Sequence, residues 1–464
     1  MRPGARSLRI RRMLVSGLSR RSFLQRSAGL AAGAPGRAAA APPNILLILA
    51  DDLGYGDLGA WGARDIQTPN IDALAASGVR FDPFYSNSPV CSPTRAALLT
   101  GRYPDCVGVP GVIRTHAENS WGYLAPDAEL LPARLRRAGY HTAAIGKWHL
   151  GLESPNTPTE RGFDFFHGFL GDMMDDYYTH RRHGNNYMRR DRAEIDPHGH
   201  ATDLFTAWAA EYLKSRASGS APFFLYLAYN APHTPIQPPE DWFLKVMERE
   251  KGIAQNRARL AALIEHMDHS IGRVIDALKA NGQYENTLIV FTSDNGGELG
   301  VGGSCGGLRG GKGDMYEGGI RVPLCAVWRN RIAPGSRGAQ TGLACDLFPT
   351  VCEAAGAPVP SGLDGRSLLG AMLGKPPAAA GRDLVWVRRE GGLTYQGREY
   401  YALRRGDWKL LQNSPFERYQ LFHLREDPKE TRDLSTQEPK IFRKLSAALM
   451  RHVQRAGRVP WQRP

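Results

Sequence analysis

Asp51 and Asp52 follow the apolar run Asn44–Ala50, and Asp294 and Asn295 follow the run Thr287–Thr292 and Ser293. Adjacent carboxylates at the end of a buried strand repel one another and cost desolvation energy unless a cation compensates. Three carboxylates and one amide carbonyl are an oxygen-donor set of the kind Ca²⁺ or Mg²⁺ takes, and no nearby pair of His or Cys points to zinc. Each half also has a plainer reading: Asp-Asp as a solvated turn with a helix cap, Asp-Asn-Gly as an everyday turn. Two further apolar runs end in cationic or proton-transferring side chains. Thr142–Ile145 continues through Gly146 into Lys147 and His149, which face the same way if the chain stays extended. Pro222–Tyr229 leads into Asn230-Ala-Pro-His233-Thr-Pro, a rigid loop presenting one imidazole. Lys312 closes the segment Gly296–Gly313, whose ten glycines in eighteen residues leave its backbone free to flex or to hug a ligand. Singly, such residues are more often structural than catalytic. Two Lys and two His beside an oxygen-ligated cation make an anion site.

The sequence Cys91-Ser-Pro-Thr-Arg95-Ala-Ala-Leu-Leu-Thr-Gly101 supplies a nucleophile candidate. Ser92 reads as an N-cap and Pro93 as the first helical residue, which puts Cys91 at a helix N-terminus where free N–H groups favour anions. Arg95, four residues on, is placed to return towards Cys91 and hold its charge. The thiol is then either a buried small hydrophobe or a nucleophile of lowered pKa.

Elements that position these groups follow from the same runs. The four apolar segments read as buried strands alternating with helical patterns, as in a parallel α/β sheet, where ligands bind beyond the carboxyl ends of the strands. Ile253–Ala280 carries apolar residues at helical spacing. After about residue 380 the texture changes: Tyr400–Leu411 and Tyr419–Leu424 read as short strands, with turns at Arg405-Gly406-Asp407 and Glu426-Asp427-Pro428 and a closing helix near 438–455. The expected fold is therefore α/β, a large mostly parallel sheet sandwiched by helices, with a smaller C-terminal antiparallel sheet and helix. The expected division is 1–41 as a cleaved export segment, 42–380 as the catalytic domain and 381–464 as a C-terminal α/β subdomain.

Composition narrows the function classes. The 464 residues are 42% hydrophobic and 23% charged, which rules out a disordered or fibrous chain. The formal charge of +13 suggests nucleic acid until its distribution is read: residues 1–40 hold nine of the 59 basic residues and none of the 46 acidic ones, so the rest carries 50 against 46, only +4. Nucleic-acid binding loses its main support. The same basic segment, with Arg20-Arg21 before Phe23-Leu24 and an Ala-rich stretch ending near Ala41, resembles a bacterial twin-arginine export signal, the plainer alternative being a disordered basic arm. Gly33, Pro35, Gly36 and Arg37 interrupt its apolar run well short of the roughly 20 residues a membrane span needs, so no stable membrane anchor is expected. An exported protein, periplasmic or secreted, is implied. Of six cysteines, Cys345 and Cys352 lie seven apart on one expected helix, about 10 Å and too far to bridge. Buried thiols are the default.

Taken together the motifs resemble the formylglycine-dependent (type I) sulfatases. Cys91-x-Pro-x-Arg95 before Leu-Leu-Thr-Gly is similar to their first signature, and Gly139-Tyr-His-Thr-Ala-Ala-Ile-Gly-Lys147-Trp-His149 to their second. Pro43-Asn-Ile running to Asp51-Asp52-Leu-Gly-Tyr-Gly, Glu317-Gly-Gly-Ile-Arg321-Val-Pro and Gly406-Asp-Trp-Lys409 with Asp427-Pro are also similar to the family, so the likeness runs from about residue 43 to 430. The resemblance implies an alkaline phosphatase-like fold and hydrolysis of sulfate esters. It implies that a maturation enzyme oxidises Cys91 to formylglycine (3-oxoalanine), whose hydrate attacks sulfur and then expels sulfate. It further implies one metal ion per chain, Ca²⁺ by analogy, held by Asp51, Asp52, Asp294, Asn295 and residue 91. In the same terms Arg95 steadies the formylglycine, Lys147 binds a sulfate oxygen, Asp294 is the candidate to take the proton of the attacking diol, His149 helps remove the last proton, and His233 and Lys312 flank the leaving alcohol, with His233 the candidate general acid. Implied partners are a sulfate-ester substrate, aryl or glycan, the formylglycine-generating enzyme and the twin-arginine export machinery.

Two rival readings stay open at this point: a phosphoester or phosphonate hydrolase of the same superfamily, and a non-catalytic exported glycan-binding protein. The single metal expected weighs against the first, and ten intact site positions weigh against the second. The leaving group is expected to meet the loops 107–123, 171–200 and 237–250. Asp172–Asp176 and His180–His183 either touch it or are solvated loop charges, the latter being the commoner case.

Overall fold

The run Asn44–Ala50 forms a strand whose alternate residues feed two separate cores. Ile45, Leu47 and Leu49 enter one, and Leu46, Ile48 and Ala50 enter the other. Burial on both faces explains why the run is unbroken hydrophobic sequence and not an alternation. Its parallel neighbours are Phe223–Ala228 and Thr287–Ser293, and Phe223–Ala228 pairs in turn with His141–Lys147. These are the four strands expected from the sequence, with His141–Lys147 and Thr287–Ser293 one or two residues longer at their ends and Phe223–Ala228 one residue shorter at each end than expected.

The protein, seen in a computed structural model, is described over residues 41–219, 221–376, 381–391 and 397–462. The expected export segment lies outside the described residues. From Pro42 onward the chain forms one compact unit. Among the described residues its main sheet has ten strands, parallel at the centre and antiparallel outward on both sides, except that the edge strand Ser336–Gly338 pairs in parallel with Val79–Phe81. The antiparallel strand Leu324–Val327 was not foreseen, because four apolar residues between a proline turn and a loop give no periodicity to read.

Helices cover both faces. Gln255–Ala280 buries Leu260, Leu263, Met267, Ile271, Val274 and Leu278 against one, and the helices Cys91–Thr100, Leu131–Arg137 and Leu347–Ala355 pack on the other. Cys345 sits in a 3-10 turn, Ala344–Asp346, that leads into the helix holding Cys352. All six cysteines are free and buried.

A second sheet of four antiparallel strands, Asp383–Glu390, Arg398–Arg405, Trp408–Gln412 and Gln420–His423, is backed by the helix Pro439–Ala456. Its first strand is additional to the expectation. The stretch from Tyr400 to Leu411 divides at the expected Arg405-Gly406-Asp407 turn, where Gly406 has a φ of 60° that suits a residue without Cβ. Trp386 on this sheet donates its indole N–H to Ser86 O at 2.8 Å and packs edge-on against Tyr85, which ties the small sheet to the segment leading to Cys91. Among the described residues no helix is long and apolar enough to cross a membrane.

Candidate active site

The four central strands are parallel neighbours, so their carboxyl ends share one edge of the sheet, and the polar residues that follow them converge there. Asp51 and Asp52 are buried, and each divides its two oxygens between different partners. Asp51 Oδ2 lies 2.5 Å from Lys147 Nζ, while Oδ1 accepts from Cys91 Sγ at 3.2 Å. Asp52 Oδ2 lies 2.6 Å from Lys312 Nζ, while Oδ1 lies 3.8 Å from the same sulfur and accepts from Asn295 Nδ2 at 2.7 Å. Asp52 has φ 64°, a left-handed conformation that Asp tolerates better than most residues. It aims the second carboxylate back over the strand end.

Asp294 is held from two sides. Its Oδ1 accepts the Asp52 N–H at 3.2 Å, and its Oδ2 accepts Arg95 Nε at 3.0 Å and Nη2 at 2.7 Å. Arg95 is completely buried and also donates to Lys147 O at 3.1 Å. The guanidinium therefore grips Asp294, and its hydrogen bonds do not go to Cys91 as the four-residue spacing suggested.

Burial alone would raise all three carboxyls. Lys147, His233 and Arg95 overcome it at Asp51 and hold that group well below the usual range, and Lys312 with His233 keeps Asp52 low. Asp294 is pushed up to about 7 by burial and by the charge of Asp51, against Arg95.

Cys91 opens the helix Cys91–Thr100, with Val90 in the cap position and no side-chain cap. The start is two residues earlier than Ser92 and Pro93 indicated, and Ser92 Oγ instead accepts the Ile113 N–H at 3.1 Å. Nor is the thiol acidified by the helix end: burial and the charges of Asp51 and Asp294 push it well above its ordinary value. Three carboxylates outweigh one partial helix charge.

His149 reaches the site by a different backbone route from the one expected. The chain leaves the extended form, with φ 59° at His149, and the imidazole Nε2 sits 2.8 Å from Ile113 O. Donation from Nε2–H leaves Nδ1 as the basic nitrogen, buried and without a hydrogen-bond partner. Burial, then Lys147 and Arg95, depress its pKa well below the ordinary value and keep it neutral. His233 Nδ1 faces Thr234 O at 2.7 Å, and its Nε2 is 3.1 Å from Lys312 Nζ and 3.5 Å from Asp52 Oδ2. All ten candidate residues thus lie in one cluster, nine of them buried and Lys312 partly exposed at its edge.

The donor set fits a hard cation. Lys147 and Lys312 occupy the outer oxygens of Asp51 and Asp52, the inner oxygens face residue 91, and Asn295 Oδ1 is buried without a partner. In the unmodified chain ligand atoms of Asp51, Asp52, Cys91 and His233 all lie within 4.8 Å of one another, so the fold brings in the Cys and His that the linear sequence kept apart.

The loop 171–183 is mostly self-paired: Arg182 contacts Asp172 at 3.1 Å and Asp175 at 2.7 Å. His180 is not a solvated loop residue; it is buried, with Nε2 at 2.9 Å from Gly199 O. Sequence reading also missed Tyr177, whose hydroxyl lies 2.9 Å from both Asn230 O and His233 O and so braces the His233 loop. An aromatic among loop charges carries no local signal of that role.

His200 stacks on Tyr177, with ring centroids 4.9 Å apart, and burial pushes its pKa down to about 4. The folded state then resists protonation that the unfolded chain accepts, so stability is full above about pH 6.5 and falls as pH drops towards 4, by on the order of 3 kcal/mol at most. Asparagine at 200 keeps an acceptor for the Thr202 N–H that His200 now caps. His200→Asn should therefore flatten the fall in thermal midpoint between pH 6.5 and 4.5; an unchanged slope would assign the acid sensitivity elsewhere.

Residues 43–357 match the family model described as Sulfatase, and residues 311–456 match that described as N-sulphoglucosamine sulphohydrolase, C-terminal. The chain is 37% identical to N-acetylgalactosamine-6-sulfatase of Canis lupus familiaris over 75% of its own length and 68% of that protein's. It is also 37% identical to arylsulfatase A of Homo sapiens, over 74% and 70% of the two lengths. The solved structure of Ps i-CgsB in complex with k-i-k-neocarrahexaose superposes with a TM-score of 0.82 at 33% identity, covering 89% of this chain and 93% of that one.

Proposed function

Since the chain belongs to the sulfatase family and is a sulfuric ester hydrolase, we propose that it cleaves sulfate esters of a glycan with formylglycine made from Cys91 and a Ca²⁺-type ion. The observation that carries this reading is the pair of oxygens of Asp51 and Asp52 beside the Cys91 side chain, with the buried Asn295 Oδ1 left unpartnered next to Asp52. Asp51, Asp52, Asp294, Asn295 and residue 91 would hold the ion, which when bound polarises a sulfate oxygen. Formylglycine supplies a geminal diol, one hydroxyl for attack on sulfur and a second whose deprotonation releases sulfate.

The remaining roles fall to the chain's own groups. Lys147 binds a sulfate oxygen in exchange for part of its contact with Asp51. Asp294 accepts the proton of the attacking hydroxyl, and Arg95 fixes its orientation. His149 Nδ1, neutral and unpartnered, takes the proton of the second hydroxyl. Lys312 Nζ and His233 Nε2, 3.1 Å apart, share the proton delivered to the leaving oxygen, which makes the pair the general acid. A glycan leaving group is supported by the relatives, one named for N-acetylgalactosamine and one solved with a carrahexaose. Twin-arginine export and the division at residue 380 belong to the same reading.

The test is the mass of the tryptic peptide Phe81–Arg95 from the native host. Replacement of the thiol by an aldehyde at residue 91 is expected; cysteine throughout would overturn the formylglycine mechanism. The converted enzyme should also hydrolyse an aryl sulfate faster than the matching aryl phosphate, and the reverse order would favour a phosphoester hydrolase.

A further inference from the structure

Lys312 depends on a segment with little rigidity of its own, since each glycine between Gly296 and Gly313 adds backbone entropy that must be lost for the ammonium to hold one place. The C-terminal sheet and the loops beside it restrain it. Arg388 Nη1 donates to Gly313 O at 2.8 Å, Asn413 Oδ1 accepts from Met315 N at 2.6 Å, and Glu430 Oε2 accepts from Glu317 N at 2.7 Å. At the centre of these restraints is Lys409, wholly buried, with its Nζ 2.9 Å from Glu317 Oε1 and 2.8 Å from Glu430 Oε1. Glu317 Oε2 also accepts the Tyr85 hydroxyl at 2.7 Å.

Glu317 begins the turn Glu317–Ile320, which touches both ends of the glycine segment. Gly319 O accepts from Gly296 N at 3.0 Å, beside Asn295, and Gly318 N donates to Arg309 O at 2.8 Å, three residues before Lys312. The fit leaves no slack, because a Cβ on Gly296 would come 1.9 Å from Gly318 O and one on Gly318 2.1 Å from Gly310 O. We propose that Lys409 is a positioning residue for Lys312: by holding Glu317 it fixes the turn that sets where the Lys312 ammonium meets the leaving oxygen. This rests on the leaving-group role given to Lys312 above.

The test uses the full-length, converted, metal-loaded enzyme and two aryl sulfates, 4-nitrophenyl sulfate with a good leaving group and phenyl sulfate with a poor one. Lys409→Met, Lys409→Arg, Lys312→Ala and the double variant Lys409→Met/Lys312→Ala are compared. Lys409→Met is expected to lower kcat/KM on phenyl sulfate by about 10- to 100-fold and on 4-nitrophenyl sulfate by only a few-fold, because protonation matters most for the poor leaving group. Lys409→Arg should restore part of the loss. In the Lys312→Ala background the same Lys409 change should have little further effect, since groups acting as a unit are not additive.

Equal losses on both esters that persist undiminished without Lys312 would assign Lys409 a structural role only and overturn the proposal. Should Lys409→Met fail to fold, Asn413→Ala loosens the same segment at Met315; a smaller loss confined to phenyl sulfate supports the proposal and an unselective loss overturns it. Absence of turnover by the unsubstituted enzyme on both esters overturns the functional reading itself and this inference with it, whereas turnover with an unselective loss overturns this inference alone.

Discussion

Cys91→Ser should abolish steady turnover of an aryl sulfate, by on the order of 10³-fold or more, and leave at most one slow cycle per chain. A serine hydroxyl placed where Sγ now sits, 3.2 Å from Asp51 Oδ1, still has a carboxylate beside it and can attack sulfur. The ester it forms has no second hydroxyl on the same carbon, so only water attacking sulfur can release it. The buried pocket offers water little room, with Cys91 3% exposed and Asp51 and Arg95 wholly buried. The exchange removes little volume, so folding should be close to that of the parent. Rapid-quench kinetics would show a burst of product no larger than one equivalent, and intact mass would show the sulfated serine. Repeated turnover would sink the two-hydroxyl mechanism.

Asp294→Ala should remove both bound metal and activity. The carboxylate is the nearest partner of the buried Arg95 guanidinium, so its loss leaves a buried charge answered less closely, by Asp51 at 3.7 Å and by Lys147 O. Uncompensated burial of this kind costs about 3–5 kcal/mol. A lowered thermal midpoint is therefore expected together with a kcat/KM loss of at least about 10²-fold, the scale of removing a catalytic base. Asp294→Asn separates the two effects: it keeps an oxygen and the shape, loses the charge, and should retain more stability than activity. Metal content per chain, the midpoint and kcat/KM measured on the same preparations decide the matter. Retention of either metal or activity by folded Asp294→Ala would argue against the assigned ligand set and the assigned base.

Much of the site was legible because function here sits at strand ends. Asn44–Ala50, Thr287–Ser293, Phe223–Ala228 and His141–Lys147 announce themselves as apolar runs, and the residues just beyond them are those the sheet edge collects. Less could be read where the partner is remote in sequence. Arg95 and Asp294 are 199 residues apart, and nothing near Arg95 says that its guanidinium turns there and not to Cys91. Lys409 stands in the Gly406-Asp-Trp-Lys409 motif, yet its two carboxylates come from Glu317 and Glu430 on separate segments. The strand Asp383–Glu390 was missed because its charged ends dilute the apolar centre.

The sequence by itself determined which chemistry was available: three carboxylates and an amide for a hard cation, two lysines and two histidines for an anion, and one cysteine in a helix-opening motif. It also determined the burial of the central strands, since runs without polar interruption can only be buried. Tertiary structure alone decided how those groups are paired and charged. Cys91 is a poor thiolate and His149 a neutral imidazole with its Nδ1 free, because burial and the neighbouring charges outweigh what each residue's own segment would impose. Such electrostatic terms depend on distances of a few ångströms between residues far apart in the chain, and only folding sets those distances.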